Sequence, residues 1–156
     1  MNNSKGDRAT GVPETPEVAY SLKTVQKMLP LVSRIVDDIL IRQNALHQLE
    51  PEQQRLDRQR RDLSWPERQR RYQVQDEVTR AERALAEVRD ELAGLHVSLL
   101  DDDRGRVGFP TMVNNRRAFF SWRLGEDGLH SWHFAEENAC RPIPAAWLKE
   151  LTLSGV

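Results

Sequence analysis

The sequence predicts an α+β domain, in which a long antiparallel α-helical hairpin of coiled-coil character is joined to a small antiparallel β-sheet of three to four strands. Three observations predict it. Apolar residues recur at three- and four-residue intervals through the first two thirds of the chain, the signature of amphipathic helices. From His96 onward this gives way to short segments separated by Asp-, Asn- and Gly-rich turn signals. The apolar fraction is only 38% against 30% charged residues, which suits a narrow helical seam better than a wide core.

Residues 1–19 hold almost no apolar side chains before Val18 and read as a disordered tail, because too little surface is available to offset the entropy of ordering it. The rest, 20–150, reads as one domain: a helical hairpin over 20–95, then a sheet and C-terminal segment over 96–150. Ser21 is the first plausible helix cap, followed by Val25, Met28, Val32, Ile35, Ile39, Leu46, Leu49, Leu56 and Leu63. Pro30 and Pro51 interrupt this track, and each predicts a kink or a break; a fresh helix beginning at Pro51 is the alternative to one kinked helix.

Ser64 with Glu67 three residues on forms a capping box, with Pro66 tolerated in the first turn, so a second helix starts near Trp65. Its seam of Val74, Val78, Ala81, Leu85, Val88, Leu92 and Leu95 keeps heptad spacing, and Gly94 supplies the stop. A connection of a few residues around Asp62–Ser64 makes the helices antiparallel neighbours. At 1.5 Å per residue the second helix ends beside roughly residue 34 of the first, so the segment from Leu22 to about Ser33 overhangs and must pack on the C-terminal third.

That third contains seven of the ten aromatic residues: Phe109, Phe119, Phe120, Trp122, Trp132, Phe134 and Trp147. Strands are expected over His96–Leu100, Arg106–Val113, Arg117–Leu124 and Leu129–Ala135, joined as a meander. With a two- or four-residue turn in the last hairpin, Phe120, Trp122, Leu124, Leu129, Ser131 and His133 share one face. Phe119, Ser121, Arg123, His130, Trp132 and Phe134 then share the other.

Composition narrows function. Lys and Arg (23) balance Asp and Glu (24), giving a net charge of -1 and removing any global attraction to nucleic acid or membranes. No apolar run approaches the roughly 20 residues of a membrane-crossing helix, and no membrane partner is expected. The lone Cys140 forbids an internal disulfide and, with no secretory apolar stretch at the start, places the protein in the cytoplasm. Gly105-x-x-Gly108 lies between strands rather than before a helix, and no Gly-x-Ser-x-Gly occurs, so neither P-loop nor α/β-hydrolase chemistry is supported.

A series of fragments carries a resemblance: Tyr20-Ser21-Leu22, Met28-Leu29-Pro30-Leu31, Asp103-Arg104-Gly105, Phe109-Pro110, Trp122-Arg123-Leu124-Gly125-Glu126, Trp132-His133 and Arg141-Pro142. In this order they are similar to the prokaryotic family known as domain of unknown function 2203, over roughly residues 20–144. The family pattern has Cys where this chain has Ser121, Glu where it has Phe134, and a Gly-rich stretch where it has Glu137–Cys140. The resemblance implies a fold and a set of motif positions, and no activity.

Three candidate sites remain. His130-x-x-His133 resembles a metal-ligand pair, but an offset of three in a strand sends the rings to opposite faces. Cys140, His96, Glu136 and Glu137 stand at arbitrary spacing, so neither metal nor cofactor is expected. Arg104, Arg123, Glu126, His133 and Arg141 could gather at one end of the sheet to bind a small anion, with His133 as base; the plainer reading has Arg123 stacked on Trp132 and Glu126 paired with an arginine. Between residues 55 and 71 seven arginines face three acids around Trp65. Arg58, Arg61, Arg68 and Arg71 with Trp65 could hold nucleic acid weakly and without sequence preference; the plainer reading is a solvated face with i,i+4 pairs and Trp65 stapled over the turn. The leading expectation is a non-enzymatic interaction or scaffolding module that self-associates, because the seams and sheet faces show more apolar surface than one chain covers.

Overall fold

A computed structural model describes residues 18–154. The predicted tail therefore lies, through residue 17, outside the described residues. Helix α1 (Leu22–Arg58) and helix α2 (Trp65–Gly94) pack as an antiparallel hairpin, followed by strands β1 (Ser98–Asp101), β2 (Arg106–Val113), β3 (Arg116–Arg123), β4 (Ser131–Phe134) and β5 (Arg141–Pro142) and helix α3 (Ala145–Ser154). The strands form one antiparallel meander in chain order.

Helix α1 opens as expected, with the Ser21 hydroxyl accepting from Thr24 N at 3.2 Å, and then runs unbroken through both prolines. A proline removes one backbone donor and frees the carbonyl four residues back. Pro30 and Pro51 are exposed, as are Gln26 and His47, so the freed carbonyls lie on the wet side of the helix and no new helix begins at Pro51. The apolar track nevertheless ends earlier than Leu63: α1 stops at Arg58, and Leu63 packs from within the turn. Helix α2 starts at the predicted box, where Ser64 Oγ accepts from Glu67 N at 3.4 Å.

Its end differs in one detail. Gly94 is the last helical residue, and the left-handed position falls on His96 (φ 60°). His96 N donates to Ala93 O (2.9 Å) and Val97 N to Leu92 O (3.4 Å), the paired bonds of a Schellman ending, while Val97 and Leu92 are both buried in the same core.

Two clusters fill the interior. The larger joins Leu22, Val25, Val32, Ile35, Val36 and Ile39 of α1 and Leu85, Val88 and Leu92 of α2 to the sheet residues Val107, Phe109, Ala118, Phe120, Trp122, Trp132 and Phe134. The overhang of α1 thus packs on the sheet. The smaller cluster, Leu56, Leu63, Val74 and Val78, closes the hairpin tip, and half-buried Leu46 touches both. Outside the tip cluster, Arg71 Nε reaches Asp57 Oδ1 (3.0 Å) and Arg70 bonds Glu52, which holds the Arg70 guanidinium above its ordinary value. These pairs run between the helices and not at i,i+4.

Turn chemistry sets the sheet. Asn114 and Asn115 both adopt positive φ (51° and 61°), as a two-residue hairpin requires. Gly105 (φ 66°) lets the Asp101–Gly105 turn lie against Val36 and Leu40 of α1. Tyr20 ties the base of the hairpin to the sheet: its N donates to Pro110 O (2.7 Å) and its hydroxyl to Leu95 O (2.6 Å).

The facing expected for the last hairpin is inverted. Ala118 pairs with Phe134, Phe119 with His133, Phe120 with Trp132 and Ser121 with Ser131. The loop closed by the Ser121–Ser131 pair holds an odd number of residues, which flips every side chain of β4 relative to an even loop. Trp132 and Phe134 therefore join Phe120 and Trp122 against the helices, and His133 stands with Phe119 and Ser121 on the other face. The fifth strand, only Arg141–Pro142, was not expected; two residues, one of them proline, carry no strand signal.

Candidate functional site

The polar residues expected on the sheet stand apart. Arg123 Nε lies 3.8 Å from Glu126 Oε1, both partly exposed. Arg141 is bound bidentately by Glu137 (Nη2 to Oε1 2.7 Å, Nε to Oε2 3.2 Å), and its guanidinium carbon lies 5.5 Å from the Trp132 ring and 5.3 Å from the Phe134 ring. Arg141, not Arg123, is thus the cation beside Trp132, a direct result of the flipped register. The hydrogen bonds from Arg141 hold the Glu137 carboxyl below its ordinary range, against a smaller opposing push from desolvation. Arg104 is exposed in the Asp101–Gly105 turn, where its N donates to Asp101 Oδ1 (3.2 Å).

His133 is buried on the face away from the helices, its ring 5.6 Å from that of Phe119. Nδ1 lies 2.9 Å from Phe134 O; a carbonyl only accepts, so Nδ1 carries the proton, and among the described residues buried Nε2 has no partner. His130 belongs to the preceding loop, where Nε2 meets Asp127 O. Among the described residues no group of three or more His, Cys, Asp or Glu side chains is placed to hold a metal ion.

At the hairpin tip Arg68 Nε donates to Leu63 O (3.2 Å) and Arg71 is taken by Asp57. Arg58 and Arg61 project into solvent together with Arg60. Trp65 is 70% exposed and Tyr72 65%, so Trp65 is no staple over the turn but a presented ring.

A groove opens between α1 and the β3–β4 loop. It is wide open to solvent, has a volume of about 460 Å³ and is lined by Gln26, Leu29, Pro30, Ser33, Trp122, Glu126, Asp127 and Gly128. The indole N–H of Trp122 is already used, donating to Glu126 O at 3.2 Å. Sequence reasoning placed the walls of any ligand site around His133; the signal for this one was the proline inside α1 facing the Gly-rich loop, which only the tertiary packing brings together.

A family model described as an uncharacterized conserved protein, DUF2203, matches residues 19–140. The chain belongs to this family. Four residues of the fragments that resemble it, Leu29, Pro30, Trp122 and Glu126, meet at the groove although almost a hundred residues separate the two pairs. Where this DUF2203 chain departs from the pattern, local partners account for the residues present. Ser121 Oγ accepts from Arg106 Nε (2.9 Å), the same guanidinium donates from Nη2 to the exposed Cys140 sulfur, and Phe134 lies under Arg116 at 3.9 Å. No curated protein and no solved structure matches the chain. Among the described residues no helix is long and apolar enough to cross a membrane.

Proposed function

We propose that this DUF2203 protein is a non-enzymatic interaction module of the cytoplasm that self-associates through its helical hairpin. The observation that carries the reading is the exposure of large apolar side chains along that hairpin: Trp65 at 70%, Tyr72 at 65% and Ile41 at 59%. Aromatic and large aliphatic side chains left in water on a rigid element are the usual anchors of a protein interface. The polar groups of the sheet, tied in separate pairs, offer no comparable convergence. Light scattering across a concentration series should show a dimer or larger assembly. Trp65→Ala combined with Tyr72→Ala should weaken it while leaving the thermal melt unchanged. A strict monomer at high micromolar concentration would sink the proposal.

A second reading draws on the tip itself, where the Trp65 ring is exposed, as are Arg58, Arg60 and Arg61 just before it in the chain. That combination suits weak nucleic-acid binding without sequence preference, one base stacking on the indole. Any such binding should fall steeply with salt, and Gln at Arg58, Arg61 and Arg68 should flatten the dependence. Tight, salt-insensitive binding that survives those changes would place the contact elsewhere.

A further inference from the structure

The hairpin tip is rich in arginine, and two loops at the far end carry exposed carboxylates. At the tip Arg58, Arg60 and Arg61 are exposed and, among the described residues, enter no ion pair. At the far end the Asp101–Gly105 turn and the β3–β4 loop are joined by Leu124 N donating to Gly105 O at 3.1 Å. There Asp103 and Asp127 are exposed and, among the described residues, enter no ion pair, and Glu126 lies 3.8 Å from Arg123. The groove lies between the β3–β4 loop and the start of α1. Among the described residues its lining supplies two carboxylates, an amide, a hydroxyl and the apolar surfaces of Leu29, Pro30 and Trp122, with no cationic side chain. Pro30 adds an acceptor: lacking an N–H, it leaves the Gln26 carbonyl without its i+4 donor, and both residues line the groove. Acceptors in excess over an apolar floor suit a guanidinium on an alkyl stem.

We propose that the groove receives a tip arginine from a second copy of this chain, so that two hairpins lie antiparallel with each tip at the other's groove. The inference rests on the self-association reading and names its contact. From Pro30 to Arg58 the unbroken α1 spans about 42 Å, and a two-fold axis across its middle brings both tip-to-groove contacts together at once. The assembly closes as an isologous dimer and does not grow into a filament. Leu31, 45% exposed, and Ile41 lie on the stretch of α1 that the pairing spans, and Trp65 arrives with the arginines. In the Asp101–Gly105 turn Asp102 lies 3.6 Å from Arg89.

Sedimentation of the full chain tests the contact by charge exchange. A groove variant (E126K with D127K) and a tip variant (R58E with R60E and R61E) should each weaken the dimer about tenfold or more, because each sets like charges against one another twice. Mixed in equal amounts they should pair with each other, since a lysine groove then meets a glutamate tip and an acidic groove meets an arginine tip. That rescue also answers any concern over folding, as misfolded variants do not complement. A wild-type dimer that neither variant weakens overturns the groove contact and leaves self-association standing, whereas a wild-type monomer overturns both. Binding of free agmatine to the groove of a protein that stays monomeric also overturns the second-copy assignment and gives the groove to a small cation.

Discussion

Gly105→Ala should be among the most costly single-methyl additions in the protein, and its cost can be divided. At φ 66° an L residue pays a left-handed penalty of about 1–2 kcal/mol. The added Cβ would also stand 2.9 Å from Val36 Cγ1, 3.2 Å from Leu40 Cδ1 and 3.3 Å from Leu124 Cβ. Val36 is fully buried in the main core and cannot swing into solvent, so the overlap forces a backbone or helix shift worth about a further 1–3 kcal/mol. Gly125 is the control: its φ is 96°, but no heavy atom lies within 4 Å of an added Cβ. Both changes stiffen the unfolded chain equally, by a few tenths to about 1 kcal/mol, and that effect cancels in the comparison. Urea denaturation followed by circular dichroism should therefore rank Gly105→Ala below Gly125→Ala by about 1–3 kcal/mol at similar m-values. Equal stabilities for the two variants would refute the packing of this turn on α1.

Tyr20→Phe removes a hydroxyl that reaches Leu95 O across 75 residues of sequence, and denaturation should show a loss of about 0.5–1.5 kcal/mol. His133→Ala removes a buried ring from beside Phe119 and should lower the melting temperature by several degrees, while Arg123→Ala, at a half-exposed ion pair, should leave it within about a degree. Ligand binding lost in either variant with no change in melting would instead restore a sheet site around His133. Glu137 has a folded carboxyl value below its ordinary 4.5, so its contribution to stability is complete above that value and fades as pH falls through the depressed one. In Arg141→Gln the Glu137 carboxyl, followed by NMR titration, should move up toward 4.5; an unchanged value would show that Arg141 is not the cause.

The helices were legible because their signals are local. A capping serine with its partner three residues on and an apolar seam at heptad spacing both lie within a few turns of one another. The meander was legible from Asn114-Asn115 and the Asp- and Gly-rich turns for the same reason. The facing of β4 was not, since it depends on which residues of β3 and β4 pair, and so on whether an odd or even number lies between the paired residues, and both Gly125 and Gly128 permit either. One residue of slip moved His133 off the helix side and exchanged Arg123 for Arg141 beside Trp132. The groove was illegible for a related reason: Pro30 reads as a helix interruption, and nothing near it in sequence announces that its exposed side faces Glu126 and Asp127.

The division of the interior into two clusters also bears on how the chain acquires its structure. Leu56, Leu63, Val74 and Val78 lie within 23 residues of one another, whereas Val25 and Trp122 meet across most of the chain. Short loops close quickly and long ones slowly, so the tip can form while the sheet is still unpaired. A ribosome releasing this chain from its N-terminus would expose a zipped hairpin whose overhang, Leu22 to Ser33, has no cover until the five strands have emerged. During that interval the fold is half built, and its most apolar helical surface depends on the last third of the sequence to arrive.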